Sequence, residues 1–175
     1  QFDLSIMYSC ECNLQCPHCM YEAGPEIKNR LDLGTLYRFI NTWDAHINSV
    51  GFYGGEPTLY LETHRIICDM LPLGLQRWIF TNGTWSTDKQ RTREVLYWTL
   101  DNRVSPVIVS GTEYHIPHQN RTVLEALAKS FPDHIWLRSG GHRYSMGRAS
   151  HLPFSCTQRC RTDKRPTRIA VRPDG

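Results

Sequence analysis

Phe2-Asp3-Leu4-Ser5-Ile6-Met7-Tyr8-Ser9-Cys10-Glu11-Cys12-Asn13-Leu14-Gln15-Cys16-Pro17-His18-Cys19 decides how the rest of the chain is read. Phe2 to Tyr8 reads as a strand. The residues after it read as a wrapped loop, because Pro17 and the closely set cysteines leave no helical period. Cys12, Cys16 and Cys19 fall within eight residues, a spacing typical of metal binding. The chain has seven cysteines, an odd number that complete disulfide pairing cannot use up. With no basic-then-apolar leader, the expectation is reduced thiolates and a cytoplasmic protein.

Outward from that loop, strands and helices alternate. Leu33 to Trp43 repeats apolar residues at helical spacing behind Asp32, a natural N-cap. Ser49 to Tyr53 reads as a second strand and Glu62 to Leu71 as a second helix. Arg77 to Phe80, Lys89 to Leu100, Val107 to Val109, Arg121 to Ser130, His134 to Leu137 and Arg168 to Val171 continue the alternation, with no helix before the last strand. Alternation of this kind implies parallel strands joined by right-handed crossovers. A complete eight-stranded barrel takes ~250 residues, so the 175 present here predict a partial (β/α)6 barrel, one core domain over residues 1–175. Ligands in such folds lie beyond the carboxyl ends of the strands. Those ends carry the cysteine loop, Gly54-Gly55-Glu56-Pro57, Thr81-Asn82-Gly83, Ser110-Gly111 and Arg138-Ser139.

Three thiolates in one loop suit a [4Fe–4S] cube with one iron left open. A zinc site completed by Cys10 or His18 is the alternative, although zinc sites commonly join two knuckles across a longer loop. Asn82 before Gly83 also makes a turn on its own account, and Arg138 also reads as a surface charge at a strand end.

Cys12-x3-Cys16-x2-Cys19, followed in order by Gly54-Gly55-Glu56-Pro57, Thr81-Asn82-Gly83 and Ser110, resembles the radical S-adenosylmethionine (SAM) superfamily. The resemblance implies that Cys12, Cys16 and Cys19 ligate a [4Fe–4S] cluster and that SAM takes the fourth iron. It implies that His18 packs near the adenine and that Gly54, Gly55, Glu56 and Pro57 form the SAM amino-group site. It further implies that Asn82 lies in the cofactor site, that Ser110 and Arg138 meet ribose and carboxylate, and that an external one-electron reductant drives SAM cleavage and hydrogen abstraction. Ser110-Gly-Thr-Glu-Tyr-His115 resembles an SxDxFH segment of peptide-modifying members, with Thr112 in place of the acid. Met146-Gly147-Arg148-Ala149 and Arg168 to Gly175 resemble stretches that precede a SPASM or twitch extension, which holds auxiliary clusters; Cys156 and Cys160 are read either as the start of such a site, completed beyond Gly175, or as two loop thiols without metal. A peptide or protein is the first substrate expected. A nucleotide or nucleic acid, a glycyl-radical activase and a non-catalytic zinc-bound nucleic-acid module are the alternatives.

Composition sets the outer bounds. The chain is 40% hydrophobic and 21% charged, as ordinary globular proteins are. No apolar run approaches the ~20 residues of a membrane span. The net charge of +3 hides an imbalance: Arg138 to Arg172 holds nine Lys or Arg and a single acid, Asp163. This irregular basic segment, residues 138–172, is expected to guide the substrate, with a solvated basic loop as the alternative.

Overall fold

Asp32 fixes where the first helix begins. Its carboxylate accepts the Thr35 amide at 2.7 Å, and α1, Leu33–Trp43, runs from there with Leu36 and Ile40 turned inward. The computed structural model describes residues 1–139, 148 and 167–173. Within them β1 is Phe2–Met7, β2 Ile47–Tyr53, α2 Leu61–Met70, β3 Gln76–Thr81, α3 Lys89–Asp101, β4 Val104–Gly111, α4 Arg121–Ser130, β5 Ile135–Ser139 and β6 Thr167–Val171. Asp88 and Asn120 cap α3 and α4 in the manner of Asp32, each accepting an amide three residues on.

All strand pairs are parallel, in the order β5-β4-β3-β2-β1-β6. The molecule is therefore an α/β partial barrel, as the alternation implied. One feature departs from simple succession: β6 lies beside β1, at the edge opposite β5. Strand β4 is also longer than the expected Val107 to Val109. Pro106, which cannot donate to a ladder, shortens the sequence reading. In the fold it stands where the β3–β4 register shifts, a position where proline is tolerated inside a sheet.

Alternation along each strand sorts the two faces. Leu4, Ile6, Val50, Phe52, Ile79, Val107, Val109 and Ile135 face the helices and join Leu36, Ile40, Ile67, Val95, Trp98 and Leu124 in one core. Each fully buried side chain of this kind contributes roughly 1.5–3 kcal/mol. The other face carries Ser5, Gly51, Tyr53, Trp78, Phe80, Ile108, Trp136 and Arg138. Gly51 has a steric reason, since a Cβ there would lie 2.6 Å from the Trp78 ring. The indole crosses the sheet because β2 has no side chain at that point. Among the described residues no helix is long and apolar enough to cross a membrane.

Candidate functional site

The cysteine loop leaves β1 and closes on itself. Cys12 N donates to Gly24 O and Gly24 N to Cys10 O, at 3.1 and 3.2 Å. A second tier comes from the end of β2: Gly55 N donates to Ser9 O and Glu56 N to Glu11 O, both at 2.9 Å. The glycine pair is thus explained by close approach to this loop. A Cβ on Gly55 would lie 1.9 Å from Glu11 O, and Gly54, at φ 136°, has Ser9 O 2.4 Å from its Cβ position. The expectation was approach to a ligand; the neighbours in the structure are the backbone of Ser9 to Glu11.

Glu56 has an equally definite place. It is fully buried, and burial pushes its carboxyl above the ordinary value. One oxygen accepts from Thr58 N, Thr58 Oγ1 and Thr81 Oγ1 at 3.1, 2.7 and 2.7 Å, and the other accepts from Asn82 N at 2.7 Å. Pro57 opens the short 3-10 turn, Pro57–Tyr60, that Glu56 caps. Both carboxylate oxygens therefore join β2 to β3.

Asn82 does more than turn the chain. Its Nδ2 donates to Asn13 Oδ1 at 2.8 Å and to the Cys12 thiol at 3.6 Å, and Leu14 N donates to the same sulfur at 3.4 Å. Two N–H groups are aimed at one sulfur, the kind of support that tunes a bound thiolate. Gln119, which carried no sequence signal, donates to Asn82 O at 2.5 Å and to Ser110 O at 2.7 Å, tying β3 to β4. Ser110 pairs in register with Arg138 of β5, whose guanidinium sits 5.9 Å from the Phe80 ring centre. His18 stacks on Tyr114 at 4.6 Å and meets His115 edge-on at 5.2 Å. The segment after β4 and the cysteine loop therefore meet through aromatic rings.

Burial pushes Cys12 up to about 12. Cys16 is also raised, by burial first and by Cys19 second, with Arg148 pulling the other way. Among the described residues no three His, Cys, Asp or Glu side chains converge as a metal-holding group. Ligands of a single ion must meet at one point, whereas the thiolates of a cube each take a different iron and stand apart. The donor set, three soft thiols in one tied loop with N–H groups on Cys12, fits a cluster on those grounds. Cys156 and Cys160 lie outside the described residues.

Acidic Glu11 anchors the outer side of the loop. Its carboxylate holds Lys28 at 2.7 Å, Arg30 at 2.6 Å and the Tyr60 hydroxyl, and these partners lower it to about 2.

Neither a protein-family model nor a curated protein matches this sequence. Among solved structures, native anSMEcpe with bound AdoMet and Cp18Cys peptide is similar at 22% identity and TM-score 0.52, over 77% of this chain and 42% of that one. Streptococcus suis SuiB bound to S-adenosylmethionine is similar at 14% and 0.45, over 99% and 59%. SuiB bound to precursor peptide SuiA gives 13% and 0.46, over 99% and 58%. The chain thus spans 42% to 59% of the solved chains it matches. What is shared with anSMEcpe at this level is the fold, an open parallel α/β barrel.

Proposed function

We propose that this chain is the cluster-bearing barrel of a radical SAM enzyme that abstracts hydrogen from a peptide or protein. One observation supports this reading above the others. The cysteine loop, Gly54 to Pro57 and Thr81 to Gly83, distant in sequence, are cross-bonded into one unit at the carboxyl end of the sheet. Cys12, Cys16 and Cys19 are the residues that would hold a [4Fe–4S] cluster. When bound, cluster and SAM supply a 5′-deoxyadenosyl radical on receipt of one electron from an external reductant. Arg138 is our choice for the SAM carboxylate because its fork matches two oxygens, with Ser110 beside it for the ribose. The reading carries a cytoplasmic location with it, since thiols kept unpaired for a cluster need a reducing compartment.

The substrate side is the open face of the sheet. A cleft of about 380 Å³ lies there, walled by Tyr53, Trp78, Phe80 and Trp136 and flanked by Arg138 and Arg168. Aromatic walls exclude water and hold a side chain by contact, which suits an extended peptide. The Cp18Cys peptide bound in anSMEcpe supports the same class here. Arginines over aromatic rings also suit stacked bases, so a nucleotide or nucleic acid is the second reading.

Anaerobic reconstitution tests the proposal. A brown protein with bound iron and sulfide should form 5′-deoxyadenosine from SAM under reduction, and the Cys12→Ala/Cys16→Ala/Cys19→Ala variant should do neither. Zinc in place of iron, or undiminished SAM cleavage in the triple variant, would remove it.

A further inference from the structure

Arg148 comes from the segment after β5, yet among the described residues every hydrogen bond it makes reaches the cysteine loop. Its Nε donates to Cys16 O at 3.0 Å, Nη1 to Glu22 O at 2.9 Å, Nη2 to Ala23 O, and its backbone N to Cys19 O at 3.1 Å. Three edges of one guanidinium are taken by carbonyls, and among the described residues no carboxylate pairs with it. Glu22 is held at φ 55°, a left-handed conformation uncommon for a residue with a side chain. Its carbonyl is one of those the fork holds. The fork therefore spans the limb that carries Cys16 and Cys19 and fixes the direction of its peptide planes.

We propose that Arg148 is a positioning residue: its planar fork sets the backbone between Cys16 and Ala23 so that Cys16 and Cys19 present their thiolates to a cluster, and its cation sits in the cluster's field. This rests on the function proposed above and adds a dependence of the cluster on the segment following β5. A flexible ammonium cannot reproduce the arrangement, because one nitrogen cannot face three carbonyls in a plane. Charge and geometry are therefore separable by substitution.

Arg148→Lys and Arg148→Gln are compared with the wild-type chain in two arms. In the metal-free protein, hydrogen exchange of the Cys19, Glu22 and Gly24 amides, all bonded within the loop, should quicken in both variants while the global unfolding midpoint stays unchanged. After reconstitution, iron should be lost to a chelator roughly tenfold faster from both, as for loss of an outer-shell partner. The reduction potential should move to more negative values in Arg148→Gln and hold in Arg148→Lys, because a nearby cation favours the reduced cluster. Wild-type exchange and iron retention in Arg148→Gln would overturn the proposal. Full restoration of both by lysine would also overturn it, since charge alone would then suffice. An unchanged potential in Arg148→Gln would remove the cation from the cluster's field and overturn that half. If the wild-type chain takes up no cluster, the proposed function fails, and the metal-free arm still decides whether Arg148 sets the loop.

Discussion

The buried Glu56 carboxylate and the backbone amide of Asn82 are joined by a 2.7 Å hydrogen bond that locks the end of β2 to the end of β3. The same side chain accepts three further hydrogen bonds, from Thr58 and Thr81. Glu56 is therefore a cross-tie under the site, and its acceptors are already engaged. Glu56→Gln replaces one acceptor oxygen with an NH2 that faces donors. In either orientation a buried N–H loses its partner, at a cost of about 1–3 kcal/mol. Urea denaturation should register that loss. An undiminished stability would mean that the carboxylate is not the tie described.

Gly55 invites a sharper test. A methyl group there would meet Glu11 O at 1.9 Å, a backbone contact that no rotamer change can relieve. Gly55→Ala should destabilise by roughly 1–3 kcal/mol, as overpacking does, and should disturb the cysteine loop before any ligand arrives. Gly24→Ala is the control. Its Cβ would stand 3.7 Å from Gln15, and the change should stay within ~0.5 kcal/mol. Thermal unfolding of the two variants side by side separates close packing from a general need for glycine.

The contrast between Asp32 and Arg148 shows how much was legible. Asp32 announces α1 by local chemistry, and the helix starts and ends where its period says. The boundaries of α4 follow in the same way, and the partial barrel follows from alternation. The site was legible as a set of segments at strand ends, because motif order carries over into space. The bonds among them were not. Glu56 to Asn82, Gln119 to Asn82 and Arg148 to Cys16 depend on where tertiary structure brings residues far apart, up to 132 positions in the last case. No period or spacing encodes such a contact. The glycine pair was legible as a point of close approach, but its contact with the Ser9 to Glu11 backbone was not, since a need for close approach does not name every neighbour. The basic segment reads as one block of charge, yet Arg148 binds carbonyls and Arg172 lies 5.8 Å from the Tyr21 ring centre.

His64 makes stability depend on pH. It is completely buried on α2 between Phe52, Trp98 and Tyr8, and burial lowers it from 6.5 to about 4. Its Nδ1 lies 2.9 Å from Tyr60 O, so that nitrogen carries the proton of the neutral ring. A folded value below the unfolded one means that the unfolded chain takes up the proton first. Stability is then complete above about 6.5 and falls as pH drops toward about 4. The loss attributable to His64 should be on the order of 2 kcal/mol at pH 5. His64→Leu should flatten the profile over that window in part, leaving the slope from His115, which burial also lowers to about 4, and from His134, which burial lowers too. A variant with the wild-type slope would place the acid sensitivity elsewhere.

Arg138 and Arg168 flank the cleft but should answer to different ligands. Arg138 lies in register with Ser110 at the carboxyl end of the sheet, where SAM is proposed to bind. Arg168 pairs with Asp3 near the start of β1, donates to the Tyr53 hydroxyl at 3.3 Å and lies 5.5 Å from the Trp78 ring centre. It therefore belongs to the deeper, aromatic part of the face. Arg138→Gln should weaken SAM by about ten- to a hundredfold, the range for a lost hydrogen bond to a charged group. Its effect should be nearly independent of salt, because the contact is short. Arg168→Gln should leave SAM affinity unchanged and weaken the substrate instead. Calorimetric titration of SAM, and of candidate peptides and oligonucleotides, across a salt series reads both effects. A steep salt slope for an oligonucleotide would favour nucleic acid through phosphate contacts, whereas a shallow slope with a peptide favours the proposed class. Equal losses of SAM affinity in the two variants would show that the cleft is a single site, and the division drawn between Arg138 and Arg168 would be wrong.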